Sequence, residues 1–496
     1  LDIKEKQINL IFIISKEEIM KKILLMVVLF LFAVSLIACK KETTGTDKTV
    51  ITYASWNLGS PDSEEPNMER LMIDAFMEKY PDIEVQIIER PKIPGTNDDL
   101  GWNEFLAARA STQTLPDVFQ ADNIPYYVIN DWAYNLTEIA NADPEYLNVS
   151  EDIRGVATYG GKVMALPNAV HYAGYVVNQT LYDRQGQDYP TVDSTFEEVL
   201  QLTSAAANHS SNNNTGVVGF EGIEHIIHWY PAQLNPDFRW FTMSDDGFNL
   251  DSTEFATTME LYRSLRTDTS FVLEALYDAA GQEDSTISIG DIFPEGDFFN
   301  NGVILCKFFY SWDFGWIQAN INSGQYTWDL DFIGTPYVNG VKRVPIVADF
   351  FTVASNTDHP EESYLFAKWM GYGVDGYSKR IDFSKAVEGI SQVNFAPIQN
   401  DEDLLDQYFE LYPAFSSLRT IIQNGTFIVE PPKYLPGYIN ARYQGTYDAE
   451  NKMGDIVNRL LAGEVLLADI KVQLNERANA LYFEAKNEFD AAIALK

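Results

Sequence analysis

Val50-Ile51-Thr52-Tyr53-Ala54, the stretch Pro66–Tyr80, and Ile83-Glu84-Val85-Gln86-Ile87 together decide the fold. The first is a β-rich run, and the third alternates apolar and polar residues as a half-buried strand does. Between them Met68, Leu71, Met72, Ala75 and Phe76 recur at helical spacing, and Pro81 closes the helix. A second helix, beginning near Asp99, runs through Phe105 to Ser111, and Asp117-Val118-Phe119 is a third strand. Strand alternating with helix predicts βαβ units around a mainly parallel sheet, an α/β fold. The texture returns from Val163 to Asn178 and from Val344 to Ala354, and residues 441–494 read as helical almost throughout (Ile456, Leu460, Leu467, Ile470, Leu474). No repeat of solenoid period is present. Two α/β lobes are expected, with the chain crossing between them more than once.

Upstream of this body, Lys21-Lys22 precede an apolar run from Ile23 to Leu31 that continues, with only Ser35 polar, to Ala38-Cys39. A basic segment followed by an apolar one predicts a signal peptide over 1–38. A spanning helix needs about 20 apolar residues, and Lys40-Lys41 ends the run. Leu36-Ile37-Ala38-Cys39 resembles the bacterial lipobox, which implies cleavage, diacylation of Cys39 and tethering to the outer face of the membrane; two acyl chains anchor stably where one does not. Met20-Lys21-Lys22 opens the signal peptide in the usual way, and Lys16-Glu17-Glu18 can be encoded by a purine-rich ribosome-binding stretch. Residues 1–19 are therefore expected to be a mis-called extension. Residues 39–49 read as a polar, flexible tether, spanning roughly 15–18 Å.

Composition narrows the class. Acids outnumber Lys and Arg by 72 to 35, a net charge of −37; the first 38 residues hold five Lys and four acids, so the remainder carries about −38. That charge opposes binding to nucleic acid and to anionic lipid. Hydrophobic residues make up 46% of the chain, enough for substantial cores, and roughly 450 mature residues imply two or more domains. With Cys39 lipidated, Cys306 has no disulfide partner, and within Val303-Ile304-Leu305-Cys306 it reads as a small core residue. A monomer is expected.

A set of phrases in a particular order is more specific. Tyr80-Pro81-Asp82-Ile83-Glu84-Val85, Leu115-Pro116-Asp117-Val118-Phe119, Gly161-Lys162-Val163-Met164-Ala165-Leu166-Pro167, and Asp246-Gly247-Phe248 leading to Asp251 resemble the family 1 extracellular solute-binding proteins. These are receptors of ABC importers for sugars and oligosaccharides, the group that includes maltodextrin-binding proteins. The Pro-started helix from Asp358 to Gly371, with Leu365/Trp369 and Phe366/Met370 at i,i+4, matches the family's helix after the last hinge. The resemblance implies a two-lobed periplasmic-binding-protein-like fold, a carbohydrate ligand and a membrane permease as partner. The family has a glycine pair where this chain has Ala348-Asp349. The expected lobes are 50–168 with 329–355, and 169–328 with 356–496, joined by three crossings.

In an open parallel sheet ligands bind beyond the carboxyl ends of strands. Here the first strand ends in Trp56-Asn57 and the third in Asp122-Asn123. A ring beside an amide and a carboxylate suits a sugar, whose CH face packs on the ring while its hydroxyls need donors and acceptors. Trp312-Asp313 follows the strand Gly302–Tyr310, after which the family resemblance implies a ligand-stacking aromatic. Asp349 stands where the chain returns to the hinge, and Trp229 and Tyr172 lie beside turns or strand ends. The expected ligand-binding set is therefore Trp56, Asn57, Asp122, Tyr172, Trp229, Trp312, Asp313 and Asp349. Against it, Trp56 after a strand also suits a packing residue, and Asp122 also suits a helix N-cap.

Other patterns do not assemble into chemistry. His225 and His228 share a helical face, but no third ligand has zinc-site spacing. Asp245-Asp246-Gly247-Phe248-Asn249 lacks the alternating acids and closing Glu of an EF-hand and reads as a turn leading to a cap at Asp251 with Glu254 three residues on. No metal, cofactor or catalytic residue is expected. Two functions stand: an anchored binding protein that closes on a sugar and docks on a permease, and, as the alternative, a membrane-anchored glycoside hydrolase or lyase using two of the many carboxylates.

Overall fold

The computed structural model describes residues 48–496, apart from 62, 64, 97, 388, 391 and 392. The signal peptide, Cys39 and most of the tether lie outside the described residues. Among the described residues no helix is long and apolar enough to cross a membrane.

Nine strands build one sheet: β1 (Thr49–Ala54), β2 (Ile83–Ile87), β3 (Val118–Ala121), β4 (Leu166–Asn178), β5 (Val218–Glu221), β6 (Ile304–Tyr310), β7 (Leu330–Gly334), β8 (Arg343–Val353) and β9 (Thr426–Val429). Their order is β2-β1-β3-β8-β4-β6-β5, with β9 beside β8 and β7 beside β4. The outer pairs β1/β2, β1/β3, β5/β6 and β8/β9 are parallel. The long strands β4 and β8 run antiparallel to each other and carry the chain from one end of the sheet to the other.

Sequence explains these elements locally. The helix Met68–Lys79 starts at Asn67, whose side chain accepts from the Arg70 N–H, and buries Met72, Ile73, Ala75 and Phe76 on one face. All thirteen residues of β4 are buried, as a strand covered on both faces requires. Where β4 meets β7 the backbones touch: a Cβ on Gly174 would lie 2.4 Å from the carbonyl carbon of Gly334, so only glycine fits.

Residues 356–496, expected with the second lobe, divide: Tyr438 to Tyr482 pack with Trp229 and Phe255, while the segment from Tyr364 to Phe427 packs with Tyr53 and Phe76. The helix Pro360–Met370 packs on the first, with Phe366 5.0 Å from the ring of Tyr53 and 5.0 Å from that of Phe76. The Trp369 indole N–H donates to the Met72 carbonyl at 2.9 Å, and Arg380 pairs with Glu69 at 3.2 Å. The i,i+4 pattern marks a helix and its apolar face but carries no information on which lobe receives it. The long helix Leu467–Ile493 contacts both ends of the molecule. Asn479 exchanges hydrogen bonds with Phe248 (2.8 and 2.9 Å), while Phe489 packs 4.7 Å from Tyr159 and Lys162 donates to the Ile493 carbonyl at 2.7 Å.

Candidate ligand-binding cleft

The parallel strands β1 and β3 end side by side, Tyr53 opposite Val118 and Ala54 opposite Phe119, which sets Trp56 and Asp122 at the same edge. Trp56 is half-buried, edge-on to Trp102 at 5.1 Å, and the Trp102 indole donates to the Gln120 carbonyl at 3.0 Å. Asn57 is exposed. Asp122 accepts from the Tyr127 hydroxyl and from Asn103 Nδ2 at 3.0 Å. Burial nevertheless pushes its carboxyl above the ordinary range.

Asp349 is the next neighbour. Ala121 pairs with Phe350, and the β4/β8 register shifts between Asp349 and Phe350; a bulge of this kind re-aims a side chain. The carboxylate of Asp349 pairs with Lys433 and stands 3.8 Å from His171 Nε2. Burial raises its pKa, but the neighbouring His171 and the Lys433 charge outweigh it and hold the group below the ordinary range. His171 packs edge-on to Trp312 at 5.2 Å, and Trp312 lies flat on Tyr310, ring centres 4.1 Å apart and planes 7° from parallel. Trp312 is 39% exposed. Contacts and sheet register thus link Trp56, Asp122, Asp349 and Trp312 along one line.

Two cavities flank the segment Leu435-Pro436. The one beside Asp122 has a volume of about 550 Å³, with Asn103 and Asn123 on one side and Tyr438, Asn440 and Gln444 on the other. The other, about 850 Å³, is bordered by Tyr159, Arg239, Arg343, Tyr434 and Phe489. Its charges are already satisfied: Arg239 pairs with Asp245 at 2.6 Å, Lys486 pairs with Asp490, and Arg343 donates to the carbonyls of Ala232 and Pro236 at 3.2 Å. By contrast, the hydroxyl of Tyr438, which borders the smaller cavity, is buried with no partner, and so is His171 Nδ1 beside Asp349 and Trp312. Unpaired buried polar groups need an explanation, and a polar ligand supplies one.

Three expected site residues sit otherwise than anticipated. Trp229 is fully buried in the second core, 5.3 Å from Phe196 and 6.4 Å from Tyr175, because it lies on the apolar face of the helix Ile226–Leu234 with Ile226 and Ala232. Tyr172 is 1% exposed and packs on Phe427 at 5.5 Å. Successive strand residues face opposite ways, so His171 takes the Trp312 side and Tyr172 the other. Asp313 adjoins Trp312, but its carboxylate accepts from the Trp316 indole at 3.1 Å. The sequence reading missed His171, Asn103, Lys433 and Tyr438. His171, adjacent to Tyr172, was within reach of it; Lys433 follows Pro431-Pro432 in a turn with no distinctive pattern.

No family model matches the sequence, and no curated protein matches it. Solved structures do. An ABC substrate-binding protein, Lmo0181 from Listeria monocytogenes in complex with cycloalternan, is similar over 88% of this chain and 99% of its own, with a TM-score of 0.57 and 18% identity. The sugar-binding protein MalE from Xanthomonas citri is similar over 89% and 99%, with a TM-score of 0.60 and 14% identity. The fold is that of two-lobed periplasmic binding proteins. A de novo designed cysteine esterase shares it as well, with a TM-score of 0.59, 14% identity and coverage of 88% and 99%, so the two-lobed binding-protein fold alone does not decide between binding and catalysis.

Proposed function

We propose that the protein is the extracellular substrate-binding lipoprotein of an ABC importer, capturing a carbohydrate, in particular an oligosaccharide, and delivering it to the permease. The observation that carries this reading is the exposed face of Trp312, backed by Tyr310 and set beside the His171–Asp349–Lys433 group. A ring with one free face and charged hydrogen-bonding groups at its edge fits a sugar's apolar face and hydroxyl rim. The lobes close by a hinge motion in which β4, β8 and the Glu430–Pro436 segment bend. The Listeria monocytogenes protein's complex with cycloalternan supports the ligand class. The enzyme reading is not favoured. Asp349 is tied to Lys433, Asp122 accepts from Tyr127 and Asn103, and Cys306 is fully buried with its thiol pushed up by burial, which opposes a nucleophilic thiolate.

Thermal unfolding with a panel of neutral and acidic glycans tests the ligand class. A cognate sugar at about 100 times its Kd stabilises by about 2.7 kcal/mol; a panel covering the common oligosaccharide linkages that gives no shift would refute the carbohydrate reading. Lipid anchoring on Cys39 has its own test. Cys39→Ala is expected to release the protein from membranes or leave an uncleaved precursor, and a processed, membrane-retained variant would contradict it.

A further inference from the structure

The cavity beside Asp122 has polar groups on both of its walls. At about 550 Å³ it lies within the range of small-molecule sites, roughly 300–1,000 Å³. Asp122, Asn123 and Tyr126 border it on one side, Asn440 and Gln444 on the other. The first wall stands on the core that holds Tyr127, the second on the core that holds Tyr438 and Ala441.

Local structure turns the second wall toward the cavity. Asn440–Gln444 is a single π-helical turn in which the Gly445 N–H donates to the Asn440 carbonyl at 2.9 Å, and such turns recur at functional sites. Ala441 and Arg442 are its buried residues, with the Arg442 guanidinium over the Phe241 ring. Asn440 and Gln444, at its two ends, are exposed and border the cavity. Neither side chain hydrogen-bonds to another described residue. A primary amide offers two donors and a two-lone-pair acceptor, the complement of neighbouring sugar hydroxyls.

On the facing wall the Asn123 Oδ1 accepts from the Tyr126 N–H at 3.1 Å, which leaves its NH2 group unengaged among the described residues. Tyr126 is 38% exposed and edge-on to Trp132 at 5.2 Å, an open ring beside the amides. Asp122 is the one charged residue that borders the cavity among the described residues. Lys433, next to Pro432 on the rim, is already paired with Asp349.

We infer that this cavity is a second carbohydrate subsite, in which Asn440 and Gln444 hold the hydroxyls of an uncharged sugar unit beyond the one on Trp312. The inference rests on the carbohydrate reading and deepens it: the ligand is a linear chain that runs from Trp312 past Asp349 and Asp122 into the amide-lined space. Asp122 borders the cavity and also lies on the line from Trp312, so the two subsites are joined. A uronate is disfavoured there, because its carboxylate meets Asp122 with no free cation on the walls to offset it.

Calorimetric titration of the whole protein with malto-, cello- and manno-oligosaccharide ladders, from disaccharide to hexasaccharide, tests the subsite in wild type, Asn440→Ala and Gln444→Ala. In wild type one lengthening step of the recognised ladder is expected to tighten binding roughly tenfold. Each variant loses roughly twofold to tenfold on members past that step and binds the shorter ones as wild type does. Both side chains are exposed, so the variants keep the wild-type fold, and a general defect would weaken every length alike. The chain whose added unit is a glucuronate binds more weakly than its neutral counterpart. Affinity independent of length, variants weakened equally for short and long chains, or a glucuronate chain bound as tightly as the neutral one overturns the subsite, while the bound disaccharide upholds the carbohydrate reading. Binding of no ladder also overturns it, and the carbohydrate reading then stands or falls on the wider glycan panel.

Discussion

Trp312→Ala is expected to weaken ligand binding by about 1–3 kcal/mol, the contribution of burying one large apolar side chain, or roughly fivefold to 150-fold in Kd. The unliganded protein loses stability as well, by no more than a similar amount. Trp312 is 39% exposed, so a substantial part of its surface is still open for a ligand to cover, and what the unliganded protein loses is its stack on Tyr310 and its edge contact with His171. Such aromatic contacts contribute about 0.5–1.5 kcal/mol each. Calorimetric titration with the cognate sugar and urea unfolding without it separate the two effects. An unchanged Kd together with a large loss of stability would show the ring to be a packing residue.

Trp229→Ala is expected to do the reverse. The ring is fully buried against Phe196, Tyr175 and Tyr230, and emptying such a site costs about 3–5 kcal/mol. That is a large share of the 5–15 kcal/mol by which folded domains are usually stable. The midpoint of urea unfolding should fall sharply, while Kd, measured where the variant is still folded, stays near the wild-type value. A Trp229→Ala protein of normal stability that fails to bind would return this residue to the cleft.

These two tryptophans show where the sequence was informative. Strand β1 was legible as a β-rich run and β2 by its alternation, and the helix Met68–Lys79 because its apolar residues keep a helical period and Pro81 closes it. Trp312 was singled out by its place after a strand together with the family resemblance, and it does follow β6 with part of its surface exposed. Trp229 was not separable from it on residue type, since an aromatic in a helix serves core and cleft alike until the packing is known. β4 hid its phase for a different reason: with all thirteen residues buried no polar alternation marks its two faces, and the assignment slipped by one residue, from His171 to Tyr172. Lys433 and Tyr438 come from an irregular stretch late in the chain. The place of Lys433 comes from what lies across from it, Asp349, a contact that no local pattern encodes.

A crystal structure with the stabilising oligosaccharide tests the central claim most directly. The expected result is a sugar ring flat against the exposed face of Trp312, with its hydroxyls within hydrogen-bond distance of Asp122 or of the His171–Asp349–Lys433 group. A sugar bound instead in the cavity between Tyr159, Arg343 and Phe489, with Trp312 uncovered, would contradict it.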